Sequence, residues 1–475
     1  MNYSYFSLMQ QEISLTVIFL ILLCYDIFAS EKSRNHFQIV ACSLFFLHTL
    51  FGIIYPVNYG SAFGGMFINT PISILMKNVL NIGTMIVLLQ TNNWLKSPDT
   101  VMKRGEFFTL TLSTLLGMYF MISAGNMIML YIGMELASLP LAAMVALNKY
   151  KNESAEAGAK YIMLASLSST VMLFGISFLY GAVGTLYFAD MATLITEASP
   201  IIILGFVLFI SGLAFKISLV PFHLWTADVY EGSPTSVTAY LSVISKGAAS
   251  FTLIFVLYQA FVHIKVVWEP LLWWLSVVSI TLGNIFAIRQ KNIKRFFAFS
   301  SISQAGYILL GIISGTAQGM ASTVYFVLVY IFSNLAAFGI ISAIENQTGK
   351  VRISDYDGLY KTNPKLGFLM MVAVFSLAGI PPLAGFVSKF FIFAAASEQG
   401  LYVLVFIALL NTVISLYYYL LIVKAMFINE SETPIERIHT DGYNKFSMII
   451  CLIGILIIGI VSCIYDRIDL LSFGM

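Results

Sequence analysis

Long apolar runs separated by short polar connections extend along almost the whole chain. About fourteen of these runs are long enough to cross a hydrocarbon layer of roughly 30 Å as an α-helix. The two longest polar connections, 345–365 and 424–446, are too short to form a catalytic domain. The pattern predicts an all-α polytopic membrane protein with spans near 13–29, 37–55, 71–90, 107–122, 127–147, 158–180, 201–221, 234–259, 269–288, 297–313, 320–344, 366–397, 400–423 and 447–465.

Two of these segments depart from a simple span. Only 123–126 separates the fourth segment from the fifth, which predicts a tight helical hairpin. The twelfth segment is too long for one straight span. It contains Gly379, Pro381 and Pro382, which predict a break in the helix.

The positions of Lys and Arg predict the orientation of the chain. Eighteen of them fall in odd-numbered loops, beginning with Lys32 and Arg34, whereas only Lys265 and Arg467 fall in loops on the opposite side. Cytoplasmic loops carry the excess of positive charge. We therefore expect both termini on the outer face. The N-terminus lacks a basic region, so we expect a retained first helix and no cleaved signal.

Composition agrees with a membrane protein and excludes several other classes. Hydrophobic residues make up 59% of the chain and charged residues 10%, with mean hydropathy +0.89. The net charge of +2 excludes a nucleic-acid interface, which needs a basic face. Four isolated cysteines predict neither disulfides nor iron–sulfur ligation. No phosphate loop, HExxH or Gly-x-Ser-x-Gly motif is present, so we expect no metal or cofactor-binding site in this chain.

The predicted helices divide into four regions. We expect a three-helix segment at 1–106, five-helix units at 107–259 and 260–427, and a loop with the last helix at 428–475. An odd number of helices makes the second unit start from the opposite membrane face, which predicts inverted repeats. Each unit also combines a proline with a lysine, Pro221 with Lys216 and Pro382 with Lys389. Either proline alone could serve only packing, but the matching pairs predict two broken helices that admit water.

Three lysines, Lys216, Lys246 and Lys389, lie within apolar segments. A charged side chain at bilayer depth costs at least about 2.5–3.5 kcal/mol. Because a buried amine can take up and release a proton, the three lysines predict proton transfer. Glu135 is a carboxylate near mid-span in the first unit, and its distance from Lys216 would control the charge of that amine. Glu135 could alternatively be a structural counter-ion only.

Other ionisable groups are less informative. Lys160 could join the path or extend to the membrane surface, and His223 could connect the seventh-helix break with the cytoplasmic face. For Lys77 and the isolated His48 we favour structural roles. Serines at 242, 245 and 250 could supply hydroxyl groups to a hydrogen-bonded chain beside Lys246.

Several ordered motifs resemble the antiporter-like subunits of respiratory complex I, and among them the N-type subunits most closely. The resemblance covers about residues 70 to 430 and rests on MELASLP at 134–140, FKISLVPFHLW at 215–225, DVYEGSP at 228–234, NIKR at 292–295 with SSIS at 300–303, and GIPPLAGFVSK at 379–389. A lysine at 389 favours the N-type over the M-type, which carries glutamate there. Ala227 departs from the pattern, which has proline at this position, and leaves the shape of that loop open.

The resemblance implies fourteen helices, two inverted repeats and a proton path through Glu135, Lys216, Lys246 and Lys389. It implies that NADH, FMN, iron–sulfur clusters and quinone bind to partner subunits. The expected partners are a neighbouring antiporter-like subunit and a small K-type subunit, in a bacterial inner membrane or an equivalent energy-coupling membrane. Two alternatives remain, a subunit of a multisubunit cation/proton antiporter and a structural scaffold with inert lysines.

Overall fold

The computed structural model describes residues 4–29, 36–55, 58–461 and 463–475, and most of them are helical. The helices are α1 (Ser4–Leu8), α2 (Gln10–Phe28), α3 (Phe37–Ile54), α4 (Pro71–Gln90), α5 (Arg104–Ile122), α6 (Met127–Val145), α7 (Asn152–Val183), α8 (Phe188–Leu194), α9 (Pro200–Ile217), α10 (Leu224–Gly232), α11 (Thr235–Tyr240), α12 (Lys246–Gln259), α13 (Lys265–Ile288), α14 (Ile293–Ile313), α15 (Ala317–Thr348), α16 (Leu359–Thr362), α17 (Pro364–Ala378), α18 (Ala384–Glu398), α19 (Tyr402–Phe427), α20 (Gly442–Ile460) and α21 (Cys463–Asp469).

The predicted fold class is confirmed. Among the described residues, thirteen helical segments are long and apolar enough to cross a membrane. The remaining predicted span, the twelfth, corresponds to the consecutive helices α17 and α18. Lys32 and Arg34, which contribute to the predicted orientation, lie outside the described residues. The inverted relation of the two five-helix units and the four regional boundaries stay predictions.

One short strand pair was not predicted. Residues 60–62 (β1) pair antiparallel with residues 67–69 (β2) between α3 and α4. Asn69 at the end of β2 is buried, and its side-chain amide donates to the carbonyl of Leu8 at 3.1 Å. The strand pair thus connects the start of α4 with the N-terminal residues.

The predicted hairpin between the fourth and fifth spans is confirmed by α5 and α6. Gly117 and Gly133 allow the two backbones to approach closely. A Cβ atom added at Gly117 would lie 2.4 Å from the backbone nitrogen of Ala137 and 2.7 Å from the carbonyl oxygen of Gly133. Small residues permit such helix contacts in membranes, where apolar side chains gain little by leaving lipid.

Both predicted helix breaks are present, and their backbones match. At the first break, α9 ends at Ile217 and is capped by Ser218 with φ of 68°, followed by a cis bond before Pro221. At the second, α17 ends at Ala378 and is capped by Gly379 with φ of 88°, followed by a cis bond before Pro382. Each left-handed residue thus precedes its proline by three positions. Glycine suits this conformation because it has no Cβ atom.

Three spans form the interior of the bundle. The most apolar windows of α15 and of the segment Thr235–Gln259 are completely buried, and that of α14 is nearly so. In contrast, most residues in the apolar windows of α2 and α7 are partly or fully exposed, as in lipid-facing helices. A π-helical turn, Leu241–Ser245, connects α11 with α12 and ends directly before Lys246. Such turns are frequent at functional sites.

A network of ion pairs fixes the short helix α10 between α7 and α14. Asp228 accepts from Lys160 and Arg295 at 2.7 Å each, and Arg295 also pairs with Glu231 at 2.7 Å. Partial burial raises the pKa of Asp228, but hydrogen bonds and charges from Lys160 and Arg295 lower it more, so it lies below its ordinary value of 3.8. Ala227 lies within α10, so the segment is helical there without the proline of the related pattern.

The close approach at Gly117 predicts that Gly117→Ala destabilises the bundle. Overpacking of this kind costs about 1–3 kcal/mol, against about 1 kcal/mol gained in helix propensity. The matched control is Gly181→Ala in α7, where an added Cβ meets nothing within 4 Å. Thermal unfolding in detergent should show a lower midpoint for Gly117→Ala alone. Equal midpoints for the two variants would contradict the close packing.

The network at Asp228 predicts a pH-dependent contribution to stability. A carboxylate with a lowered pKa stabilises the folded state above its unfolded pKa, and the contribution disappears as the pH falls through the folded pKa. Asp228→Asn should therefore lower the free energy of unfolding at about pH 7, by no more than about 1 kcal/mol per exposed pair, and with it the unfolding midpoint. At about pH 2 the substitution should have little effect. Glu430→Gln, which removes a more exposed pair with Lys361, is the control. An equal effect of Asp228→Asn at both pH values would contradict this explanation.

Candidate functional site

Lys246 lies in the interior of the bundle, directly after the π-helical turn. Its side chain is buried, and its Nζ donates to the hydroxyl of Ser301 on α14 at 2.7 Å. The same Nζ lies 5.4 Å from the ring centroid of Tyr230. Among the described residues, no carboxylate lies within ion-pair distance of this amine. A hydroxyl and an aromatic face therefore replace a counter-ion.

Two of the three serines expected to supply hydroxyl groups beside Lys246 have other hydrogen-bond partners. Ser250 donates to the carbonyl of Lys246 itself at 2.8 Å, and Ser242 accepts from Asn334 at 2.7 Å. Of the three predicted serines, these two are therefore bound to their own helix or to α15. Ser301 was instead quoted only as part of a motif, because sequence spacing does not show which helices face each other.

Lys389 lies after the second helix break and is held by backbone carbonyls. Its Nζ donates to the carbonyls of Leu377 and Ala378, at 3.0 Å each. These carbonyls belong to the last turn of α17, where a helix has no donors of its own left to satisfy them and where its dipole favours a cation. The ring of Tyr307 lies 4.9 Å from the same Nζ. The break thus creates the binding site for this amine.

Two small cavities lie between Lys246 and Lys389. One is lined by Lys246, Ser301 and Tyr330, and the other by Lys389, Gln304 and Tyr330, among others. Each has room for about one water molecule. Tyr330 on α15 lines both cavities. Tyr330 could not be identified from the sequence, because it lies in the uncharged run 324–332 and carries no signal of its own.

Further polar side chains connect the second cavity with α19. The amide of Gln304 donates to the carbonyl of Leu377 at 3.5 Å and to the hydroxyl of Tyr419 at 3.4 Å. Tyr419 also hydrogen-bonds to Ser300. Lys389 donates to that same Leu377 carbonyl, so the polar groups around the second break form one connected cluster.

Lys216 lies in the last turn of α9 and is also buried. Its Nζ donates to the hydroxyl of Ser138 on α6 at 2.6 Å. Glu135 lies one helical turn before Ser138 on the same face and is near enough to act electrostatically on Lys216. The two form no ion pair within 4.0 Å, and the Oε1 atom of Glu135 is buried without a hydrogen-bond partner. Lys216 therefore contacts Ser138 here and does not pair directly with Glu135.

Aromatic rings and His223 lie between Lys216 and Lys246. Trp225 donates from its indole nitrogen to the carbonyl of Phe215 at 3.2 Å, and its ring contacts Tyr230. His223 is half-buried directly after the first break, within range of the charge of Lys246. The expected connection from His223 to the cytoplasmic face stays a prediction.

Lys160 belongs to different surroundings. Its side chain is 41% exposed and pairs with Glu156 and Asp228 at 2.7 Å each. The structure therefore brings Lys160 to the surface network of α7 and α10, whereas Lys216, Lys246 and Lys389 are buried. Among the described residues, no group of three or more His, Cys, Asp or Glu side chains could hold a metal ion.

Lys77 is buried more completely than the sequence indicated. It forms an ion pair with Glu12 at 2.6 Å, and both side chains are almost inaccessible. Glu12 lies in the first turn of α2, just before the predicted start of the first span, and was not considered as a membrane residue. The polar residues Glu12, Ser14, His48, Lys77 and Asn81 recur across three successive apolar segments, and this recurrence was the signal available in the sequence.

Comparison with known proteins places the geometry in a family. The family model described as "NADH:quinone oxidoreductase/Mrp antiporter, TM" matches residues 124–415, which include both helix breaks and all three buried lysines of the interior. A curated protein of Azobacteroides pseudotrichonymphae genomovar. CFP2, called NADH-quinone oxidoreductase subunit N, is 59% identical over 100% of this chain and 99% of its own.

Solved structures are similar over nearly the full length. A chain of respiratory complex I from Thermus thermophilus with bound aureothin has 27% identity and a TM-score of 0.82, covering 98% of this chain and 100% of that chain. A chain of the Mrp complex from Dietzia sp. DQ12-45-1b has a TM-score of 0.84 at 20% identity, covering 96% of each chain, and shows the shared fold alone. The chain therefore belongs to the NADH:quinone oxidoreductase/Mrp antiporter family of transmembrane proteins.

Proposed function

We propose that this chain is the proton-translocating N-type membrane subunit of an NADH:quinone oxidoreductase, with Glu135, Lys216, Lys246 and Lys389 as its proton-transfer groups. The relative that is 59% identical over the full length supports the complex. The observation that carries the residue roles is that Lys216, Lys246 and Lys389 are all buried and held by hydroxyl or carbonyl oxygens. Such neutral acceptors do not fix the charge of an amine as a carboxylate would.

The proton would move laterally through the interior of the bundle. A hydroxyl group can accept a hydrogen bond on one side and donate on the other, so Ser301 and Tyr330 are suited to relay a proton between Lys246 and Lys389. A water molecule in each of the two cavities would complete the relay. His223 would exchange protons between Lys246 and the membrane surface near the first break. Lys160 has a lower rank in this proposal because it is exposed and ion-paired.

Glu135 would control the first amine. While the amine of Lys216 contacts Ser138, the carboxylate of Glu135 acts on it only from a distance. If the amine moved from Ser138 to Glu135, one turn earlier on α6, the direct ion pair would favour its charged form. Alternation between the serine and the glutamate would therefore couple a small side-chain movement to proton uptake and release.

Redox chemistry belongs to the partners in this proposal. NADH, FMN, iron–sulfur clusters and quinone would bind to other subunits, and this chain would contact a neighbouring antiporter-like subunit and a small K-type subunit. The chain would lie in a bacterial inner membrane with both termini on the outer face. A second candidate, a subunit of a multisubunit cation/proton antiporter, is favoured only by the shared fold of the Mrp chain.

Purification of the intact complex distinguishes the two candidates. We expect subunits with flavin and iron–sulfur clusters to copurify with this chain and to reduce quinone with NADH. Copurification with antiporter subunits alone, without redox centres, would favour the second candidate.

Removal of a buried amine should slow proton transfer strongly without preventing assembly of the complex. In the assembled complex, Lys216→Ala or Lys246→Ala should each lower proton translocation and coupled quinone reduction by about 10²-fold, at the low end of the contribution of a positioned proton-transfer group. Glu135→Ala should also lower both rates. Lys361→Ala, which removes an exposed amine, is the control. Normal proton translocation in assembled Lys216→Ala and Lys246→Ala complexes would refute their roles.

The hydroxyl of Tyr330 gives a more selective test. Tyr330→Phe keeps the aromatic ring of a residue that lines both cavities but removes the hydroxyl, so proton translocation should fall while assembly is unchanged. The matched control is Tyr325→Phe on the same helix, since the Tyr325 hydroxyl donates to the carbonyl of Ile458 away from the cavities. Equal, undiminished proton translocation in both variants would exclude the Tyr330 hydroxyl from the path.

A further inference from the structure

A second group of buried ionisable residues lies outside the line of lysines. Lys77 on α4 and Glu12 on α2 are 0% and 2% exposed, and their charged atoms are 2.6 Å apart. Lys77 also donates to the side-chain oxygen of Asn69 at 3.2 Å. A buried ion pair adds little to stability on balance, because desolvation offsets most of the attraction. The pair nevertheless lies within apolar segments of the bundle, which points to a role beyond packing.

A hydrogen-bonded cluster continues from this pair into the bundle. The amine of Lys77 lies 5.8 Å from the ring centroid of Tyr119 on α5, and Glu12 acts electrostatically on Tyr119. The Tyr119 hydroxyl contacts His48 at 3.1 Å and donates to Asn81. Among the described residues, these side chains connect α2, α3, α4 and α5 through ionisable or hydroxyl groups.

The cluster approaches the central segment at Tyr240. The hydroxyl of Tyr240 on α11 hydrogen-bonds to Thr114 at 2.8 Å and contacts the sulfur of Met118, the residue before Tyr119, at 4.0 Å. Tyr240 lies on the same continuous segment as Lys246, with the π-helical turn between them. Ser14 near the start of α2 is half-buried and hydrogen-bonds to His48 at 2.8 Å. The cluster therefore extends from the partly exposed start of α2 to the central segment.

We propose that Glu12 and Lys77 are a proton-exchanging pair, and that His48, Tyr119 and Tyr240 connect it with the central lysines as a branch to the membrane face at the start of α2. The inference rests on the proposed function, since it assigns this branch to the same proton transfer. The proton would pass from the Lys77 ammonium group to the Glu12 carboxylate and back. The transfer converts the ion pair into a neutral amine and a carboxylic acid, so the net charge of the pair stays zero.

Lys77→Arg separates proton exchange from structural pairing. Arginine keeps the positive charge and can pair with Glu12, but its guanidinium does not release a proton in proteins. In the assembled complex, reconstituted into vesicles, Lys77→Arg should lower the rate of proton translocation at least about tenfold. The control is Lys361→Arg in the exposed pair with Glu430. Wild-type translocation in assembled Lys77→Arg would overturn the branch.

A double variant decides the question if Lys77→Arg does not assemble. Glu12→Gln with Lys77→Met replaces the ion pair by neutral groups of similar size, a change that buried pairs often tolerate. Loss of proton translocation in the assembled double variant supports the branch, and wild-type translocation overturns it. Tyr119→Phe, which leaves the ion pair in place, should also lower translocation.

Lys246→Ala in the same vesicles distinguishes this inference from the proposed function. If Lys246→Ala lowers translocation but Lys77→Arg and the double variant do not, the branch is wrong and the central path stands. If Lys77→Arg lowers translocation but Lys246→Ala does not, the branch stands and the role of Lys246 fails.

Discussion

The burial of amines without direct carboxylate partners is the constraint on which the interior of this protein depends. A lysine side chain in a medium of low polarity must either lose its proton and become a neutral amine, or be paired or hydrogen-bonded as an ammonium group. Lys246 and Lys389 are surrounded by oxygen acceptors and aromatic faces, so their charged form is tolerated without being fixed. The surrounding helices must hold these acceptors in position, which explains why the most buried spans, α14, α15 and Thr235–Gln259, surround the cavities.

The helix breaks follow from the same constraint. An unbroken α-helix uses its carbonyls internally and offers none to a lysine. The end of α17 before Gly379 frees two carbonyls for Lys389. The end of α9 before Ser218 leaves Lys216 in the last turn, where it contacts Ser138. The prolines after each break prevent the helix from continuing, so the site and the break have one physical origin. The surface network at Asp228 then fixes α10, which follows the first break.

Much of the fold could be predicted because apolar length and the positions of proline are local properties. The spans, the tight hairpin before α6 and both breaks followed from these signals. The three central lysines could also be predicted, since charge within an apolar run is visible in the sequence. Their partners could not, because Ser301 and Tyr330 become neighbours of Lys246 only through the packing of α12, α14 and α15. Lys77 was assigned a structural role because it lies early in a predicted span. Its partner Glu12 lies 65 positions earlier, at the margin of another span, so their pairing was not visible in the sequence.

The central claim is that the buried amines change their charge as the protein works. Nitrogen-15 magnetic resonance of lysine side chains distinguishes an ammonium from a neutral amine, and Lys→Arg variants at each position assign the signals. In the intact complex in lipid, we expect the signals of Lys216, Lys246 and Lys389 to differ between the resting state and steady turnover with NADH and quinone. Three ammonium signals that are identical in both states would contradict the claim.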